Sequence, residues 1–486
     1  MDPVLSIVIP MHNAEATIEA ALRSLAESSL ENWEAIVVDD GSRDLGPAIV
    51  AALARDDERI RLLRLEHGER GPGAARNLGI QASRGRYVAF LNADDWYLPG
   101  GLERLLATAA ESRNGAAFGA AEWFDALGRP FDFVDGPSCP FAGLDELLRS
   151  PRFAIHACVV ARSTLGDVRF DESLAACEDL DFWLRLAERG VRFAAVHDSV
   201  AAFRCVPGSR SRNIRASLEA IEQVIDGSMG RAIGSGWSER GVDLSARRRD
   251  ELLRSHALRC ATAASFDDPT MNTQRAAGYF RHFAEPLCIE PEEAAAAAYW
   301  ALPGAACLAP SAWSGPIEFF CTALDRWWRR CESEGWGGPG FVEEATRALA
   351  AWMADPREVA QRIAARVEPG SRVMLLGFGR NAAVLVPMLA ARGCAIEARD
   401  DSTEAPSRIT VNGASISVSP LDGPLDAAAR HIVTTTIDEP IMARMPAGLD
   451  LIRWSEARLD LERNEFERLR EAWIGLDPEP AVGIAA

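Results

Sequence analysis

Short apolar runs alternate with stretches of helical spacing along the first two hundred residues. Val4-Leu5-Ser6-Ile7-Val8-Ile9 is a β-branched run that stops at Pro10, the pattern of a buried strand. Residues 14–28 then place Ile18, Ala21, Leu22 and Leu25 on one helical face. Trp33 to Val38 forms a second apolar run and ends in Asp39-Asp40-Gly41-Ser42. Residues 60–65 read as a third strand, residues 73–82 as a helix, and Tyr87-Val88-Ala89-Phe90-Leu91 as a fourth strand. Asn92-Ala93-Asp94-Asp95 follows at once. Strands alternating with helices predict an α/β domain with a mostly parallel sheet. Ligands of such sheets bind beyond the carboxyl ends of the strands, and the acidic clusters stand at those ends.

From residue 211 to about 366 the pattern turns helical and rich in Ala, Arg, Glu and Trp. Buried aromatic core is the expected use of those tryptophans. Gly335-Trp336-Gly337-Gly338-Pro339-Gly340 marks a break. Strand and helix alternation returns at Arg372-Val373-Met374-Leu375-Leu376, followed by a turn at Gly377-Phe378-Gly379 and a helix over 382–392. Asp400 lies about twenty residues further on, as in a dinucleotide-binding unit, with Ala382 at the third glycine position. A Rossmann-like domain that binds NAD(P) is one reading of this stretch. The favoured one is a tight turn in a domain that only packs or dimerises. The predicted organisation is residues 1–212 as the first α/β domain, 213–366 as a mainly helical domain, 367–476 as the smaller Rossmann-like domain and 477–486 as a tail.

Composition narrows the chemistry. The chain has 486 residues and a net charge of −19, which argues against general nucleic-acid binding. It contains no lysine, so every one of its 52 basic residues is arginine. That excludes a phosphate-loop lysine, a kinase-type Lys–Glu pair and a Schiff base. Ten cysteines occur without CxxC spacing, which predicts reduced thiols and a cytoplasmic protein. The long uncharged stretch from Ala294 to Ile317 is broken by Pro303, Gly304, Pro310 and Pro316, so no transmembrane segment is expected. At most the protein is peripheral at the inner face of a membrane.

Three acidic sites are candidates for function. Asp39 and Asp40 can accept a hydrogen bond from a nucleobase N–H, or simply cap the next helix. Asp94 and Asp95 offer hard oxygen ligands for Mg²⁺ or Mn²⁺, or sit in an exposed turn. Glu178-Asp179-Leu180-Asp181 opens an amphipathic helix. Its acids can suit the helix dipole alone or supply a general base.

Taken together, the order and spacing of these sites resemble the family 2 glycosyltransferases of GT-A fold. The resemblance rests on Ser6-Ile7-Val8-Ile9-Pro10-Met11-His12-Asn13, Val37-Val38-Asp39-Asp40-Gly41-Ser42 and Gly73-Ala74-Ala75-Arg76-Asn77-Leu78-Gly79. It continues through Gly85 to Asp95, then Phe170-Asp171-Glu172 before Glu178-Asp179. It covers roughly residues 4–212. It implies sugar transfer, with inversion, from a nucleoside-diphosphate sugar, a UDP-sugar for preference. The acceptor would be a hydroxyl on a glycan, a lipid-linked molecule or a protein.

Under that resemblance Pro10, Met11 and Asn13 line the nucleotide site, and Asp40, supported by Asp39, reads the base. Arg76 and Asn77 lie beside the donor. Asp94 and Asp95 hold Mn²⁺ or Mg²⁺ and the donor sugar, and Asp179 is the catalytic base with Glu178 as its neighbour. Two positions depart from the family pattern. Asn92 replaces the first acid of the metal motif, and Val206 stands where the family often has His. Arg204, Ser209 and Arg210 remain to bind phosphate oxygens. His156 and Trp183 are candidates for acceptor contact, and a homodimer is left open. The departures keep a rival in view, a catalytically silent nucleotide-sugar-binding scaffold, beside an NAD(P)-linked activity of the C-terminal domain.

Overall fold

The computed structural model describes residues 2–66, 68–126, 128, 130–135, 141–149, 154–205, 214–238, 242–264, 289–291, 293–295, 297–298, 316–353, 356–376, 380–400, 407–411, 414–421, 429–434 and 451–453. The chain divides into two compact units. Residues 1–206, 215–249 and 360–454 make the first, and residues 207–214, 250–359 and 455–486 the second.

The first unit begins with β1 (Leu5–Met11), α1 (Ile18–Ala26), β2 (Trp33–Asp39), α2 (Gly46–Asp56), β3 (Ile60–Arg64), α3 (Pro72–Ala82) and β4 (Tyr87–Phe90). These four strands are parallel, in the order β3-β2-β1-β4. The expected alternation is therefore present, with α2 added between the second and third strands. Leu5, Ile7 and Ile9 point to one face and pack with Ile18, Ala21, Leu22 and Leu25 of α1. Ile36 and Val38 of the neighbouring strand meet Ala75 of α3. The sheet is thus apolar on both sides, as a covered parallel sheet requires. Helix α3 lies very close to β1: a Cβ on Gly79 would stand 2.2 Å from Val8 Cγ1, so only glycine fits there.

The chain continues through β5 (Trp96–Tyr97), α4 (Gly101–Glu111), β6 (Ala116–Phe124), β7 (Pro130–Asp135), β8 (Phe141–Ala142) and α5 (Leu144–Arg149). Next come β9 (Cys158–Ala161), α6 (Arg162–Leu165), α7 (Glu178–Glu188) and β10 (Phe193–Arg204). The sheet extends as β4-β9-β6-β10-β5. Strand β9 runs antiparallel to both β4 and β6, whereas β6 and β10 are parallel. Helix α8 (Ile214–Gly234) is tied to α7 where Arg231 and Ser228 both bond Glu188.

A second sheet contains β11 (Arg372–Leu376), β12 (Ala395–Asp400), β13 (Ser407–Val411), β14 (Ala414–Pro420), β15 (Arg430–Val433) and β16 (Leu451–Arg453). Its order is β13-β14-β12-β11-β15-β16, with only β13 antiparallel to its neighbour. The antiparallel pairing of β13 with β14 is absent from the sequence expectation. The turn at Gly377 and Gly379, on which an NAD(P) site depends, lies outside the described residues, as does the tail at 477–486.

The remaining helices are α9 (Ala246–Ala264), α10 (Pro316–Ser333), α11 (Phe341–Met353), α12 (Pro356–Ala365) and α13 (Arg380–Ala391); α13 follows β11 in the first unit. Trp327, Trp328 and Trp336 of the second unit are buried, so aromatic side chains do form core there. His256 is buried too, and burial, with Arg259 nearby, pushes its imidazole down to about 3. It is a neutral interior group. Among the described residues no helix is long and apolar enough to cross a membrane.

Cys158, Cys177, Cys260, Cys331 and Cys394 are not in disulfides, but Cys205 is disulfide-bonded. The expectation of reduced thiols fails at that position. Disulfides follow spatial approach, which spacing along the chain does not report.

Candidate active site

Strand β2 delivers Asp39 and Asp40 to the carboxyl edge of the sheet. Asp39 Oδ1 accepts the Ser42 N–H at 2.9 Å, and its other oxygen lies 3.2 Å from Arg64 Nε. Asp40 is 5% exposed. Its two oxygens accept the N–H groups of Arg70 at 2.8 Å and Gly71 at 2.7 Å, the residues that lead into α3. Gly41, at φ +80°, and Gly68 touch here: a Cβ on Gly68 would stand 2.6 Å from Gly41 Cα. Asn13 accepts the Arg43 N–H at 2.8 Å and its own N–H donates to Ser42. Pro10 is half-buried. Met11, expected at the nucleotide site, is 1% exposed and packs in the core. The residue after a parallel strand's apolar run can still belong to that run.

The turn after β4 separates its residues sharply. Asp95 is 1% exposed. Its Oδ1 accepts the Arg204 N–H at 2.8 Å and its Oδ2 accepts Asn92 Nδ2 at 2.9 Å. His156 Nδ1 lies 3.0 Å from the same Oδ2. Among the described residues Asp94 has no such set of side-chain partners. Burial, and next the charge of Asp95, push its carboxyl up to about 6. Asn92 is occupied at both ends of its amide, because its Oδ1 accepts Arg76 Nη2 at 3.0 Å.

Helix α7 opens at Cys177, which is in the left-handed region at φ +58°. Glu178 accepts Arg76 Nη1 at 2.8 Å. Asp179 accepts the N–H of Leu180 at 2.8 Å. Burial and then the charge of Glu178 raise its carboxyl to about 6, while Arg76 opposes the rise. Its charge also adds to the upward push on the buried Cys158 thiol of β9.

Helix α3 is the common attachment. Its leading residues hold Asp40, and Arg76, 4% exposed, joins Glu178 to Asn92. The Arg76 guanidinium also lies 5.3 Å from the Phe170 ring. Three carboxylate-bearing turns far apart in sequence are thus bonded to one helix. Asn77 serves the scaffold: it bonds both the N–H and the carbonyl of Phe170, and the Glu172 carboxylate. Phe170-Asp171-Glu172 is therefore pinned against α3.

Several expected contacts have other geometry. The Arg204 side chain bonds the carbonyls of Asp94 at 3.0 Å and Ala126 at 3.1 Å and lies over Trp96. It clamps the acidic turn. Trp183, expected to meet an acceptor, is 1% exposed and packs among Phe90, Phe182 and Phe193. Helical spacing put it on the apolar face, which was the available signal. His156, also expected to face an acceptor, is buried against Asp95 and stacks on Phe203. Val206, Ser209 and Arg210 lie outside the described residues. Among the described residues no group of three or more His, Cys, Asp or Glu side chains is arranged to hold a metal ion.

Comparison with known proteins bears on the family of the chain. Residues 6–160 match the family described as Glycosyl transferase family 2. TuaG of Bacillus subtilis, provisionally named a teichuronic acid biosynthesis glycosyltransferase, is 30% identical over 212 residues, 43% of this chain and 82% of that protein. The succinoglycan biosynthesis protein ExoO of Rhizobium meliloti is 31% identical over 243 residues, 46% of this chain and 66% of that one. The solved structure of S. aureus TarS residues 1–349 with UDP-GlcNAc is 16% identical, with a TM-score of 0.43, and the match covers 73% of this chain and 92% of that chain. On the sequence matches and the motifs they span, the chain belongs to the family 2 glycosyltransferases, inverting enzymes of GT-A fold.

Proposed function

We propose that the first unit transfers a sugar from a UDP-sugar to a hydroxyl of a glycan in polysaccharide biosynthesis, with inversion at the anomeric carbon. The observation that carries this reading is the attachment of three acidic turns to one helix: the Gly71 N–H holds Asp40, and Arg76 joins Glu178, beside Asp179, to Asn92 of the turn that bears Asp94. Desolvation pushes the half-buried carboxyls of Asp94 and Asp179 up to about 6, the direction that suits a proton acceptor or a cation ligand. The names of TuaG and ExoO support the glycan class of acceptor.

In the proposed step the acceptor oxygen attacks C1 of the donor sugar and its proton passes to Asp179. The bond from C1 to the diphosphate oxygen breaks, and the nucleoside diphosphate leaves with the electron pair. Asp40 would read the base. Each of its oxygens carries one backbone N–H and retains a second lone pair, so a uracil N–H can be added. The donor set also fits a divalent cation. Mg²⁺ and Mn²⁺ are held in such sites by one or two carboxylates together with substrate phosphate oxygens, and Asp94 is the carboxylate left for that use. When bound, the cation neutralises charge on the departing diphosphate. Asp95 and Arg204 hold the turn that presents Asp94.

The test is a labelled-donor assay with a panel of nucleotide sugars, with and without Mn²⁺, on the wild type and Asp179→Asn. Transfer or donor hydrolysis by the wild type, abolished by the substitution with donor affinity retained, is the expected result. Nucleotide binding without any turnover in the wild type would establish the silent-scaffold alternative instead.

A further inference from the structure

Position 92 invites two opposite readings. As a degraded acid of the metal motif, Asn92 would be a weak cation ligand that an aspartate improves. Its bonds say otherwise. The Asn92 carbonyl oxygen accepts Arg76 Nη2 at 3.0 Å and its amide nitrogen donates to Asp95 Oδ2 at 2.9 Å. An ionised carboxylate can only accept. It could meet Arg76 but would face the buried Asp95 across the same gap, carboxylate against carboxylate, where like charges repel. An asparagine is neutral and two-ended, and satisfies both neighbours.

The bonds extend in both directions. Arg76 carries on to Glu178 at 2.8 Å, beside Asp179. Asp95 carries on to the Arg204 N–H, and the His156 ring lies beside it, with Nδ1 3.0 Å from Oδ2. The side chains of Glu178, Arg76, Asn92 and Asp95 therefore form one hydrogen-bonded series, half-buried at Glu178 and Asn92, between the start of α7 and the acidic turn. Arg76 supplies one guanidinium to two regions rich in acid. An acid at 92 would draw that guanidinium toward the turn and away from Glu178. The charge beside Asp179 would change although position 92 does not touch it.

We propose that Asn92 is a positioning residue, the neutral link between Arg76 and Asp95 that couples the acidic turn to the base-bearing helix. The proposal rests on the donor-site reading above for its catalytic meaning, but the linkage itself does not depend on that reading. An aspartate at 92 impairs the site, and moving the amide to the other side of the gap restores it. In Asn92→Asp/Asp95→Asn the amide nitrogen donates from position 95 to a carboxylate at 92. That carboxylate still accepts Arg76, and the new carbonyl still accepts the Arg204 N–H. His156 can meet either group by choice of tautomer.

The experiment compares wild type, N92D, D95N and N92D/D95N in the full chain. Three quantities are read: melting temperature without ligand, Mn²⁺ binding with UDP by calorimetry, and kcat and KM for transfer. N92D is expected to weaken Mn²⁺–UDP binding and lower kcat about 10-fold or more, in the range for displaced supporting groups. The double variant is expected to recover both measurements relative to N92D. A simple loss of packing at 92 would show no such recovery. Mn²⁺–UDP binding in N92D equal to or tighter than wild type overturns the proposal, and so does a double variant no better than N92D. If N92D fails to fold, the comparison of D95N with the double variant decides: a double variant that melts no higher than D95N overturns the linkage. If wild type binds no Mn²⁺–UDP at all, the donor-site reading fails while the ligand-free melting cycle still judges the linkage.

Discussion

The turn at Asn92–Asp95 and the start of α7 at Glu178–Asp179 are built on the same plan. Each carries two adjacent acids, and in each one acid is bonded by side chains from elsewhere in the fold while the other lies half-buried with its carboxyl pushed up. Asp95 and Glu178 are held by Arg204 and Asn92 and by Arg76 respectively. Asp94 and Asp179 are the members raised to about 6. The two differ in the groups behind them. Asp95 is backed by a buried imidazole and a strand terminus, Glu178 by a single guanidinium that it shares with Asn92. Adjacent acids in a motif are therefore not two equivalent ligands. One is held by neighbouring groups, and the other is the one whose carboxyl is pushed up.

The sharpest break of this comparison is Asp179→Asn. It should lower kcat by about 10³-fold, within the usual range for a general base, and leave donor affinity within about two-fold. Donor binding lost in parallel with kcat would show that Asp179 belongs to the donor side. Asp94→Asn comes next. It should weaken Mn²⁺-dependent UDP binding by about 100-fold, at the upper end of losses seen for supporting groups of a metal, while its melting temperature does not fall. Asp95→Asn should reverse those weights, with a clear drop in melting temperature and a smaller loss in binding.

The pH profile sharpens the same contrast. Activity should fall as pH drops through about 6, where Asp179 and Asp94 take up protons. Stability runs the other way for these groups. Asp179 rises from 3.8 to about 6 on folding, so the cost of burying its charge is absent below about pH 4 and full above about pH 6. Asp179→Asn should accordingly raise the melting temperature at pH 8 and change it little at pH 3.5. A substitution that destabilises equally at both pH values would contradict the burial of an ionised carboxyl. The smallest effect belongs to Asn77→Ala, which removes the bonds to Phe170 and Glu172. About 1–3 kcal/mol of stability is the expected loss, checked by denaturant unfolding, with kcat reduced less than in either aspartate variant.

Much of the first unit was readable from pattern alone. The apolar runs at Leu5, Trp33 and Tyr87 are strands because nothing else suits short β-branched or aromatic runs closed by Pro or acids. The acidic clusters stand at strand ends for the same reason. Helix α2 was not anticipated, since Gly46-Pro47 resembles a loop and its buried set is only Gly46, Pro47 and Val50. Partners were the least legible part. Asn92 to Arg76 spans 16 residues, and Arg76 to Glu178 spans 102. No periodicity reports such pairs, or that the side chains of Asn77 and Arg204, which the resemblance sets beside the donor, bond the protein's own backbone.

Strand β9 has a consequence for where function can be sought. It lies between β4 and β6 and runs opposite to both. Residues preceding it therefore emerge on the side where its neighbours finish, which is how His156 comes to stand behind Asp95. A scan confined to the carboxyl end of each strand would pass over Ala154, Ile155 and His156. Libraries meant to retune this enzyme should include that entrance, because one reversed strand sets its own beginning directly behind the acidic turn.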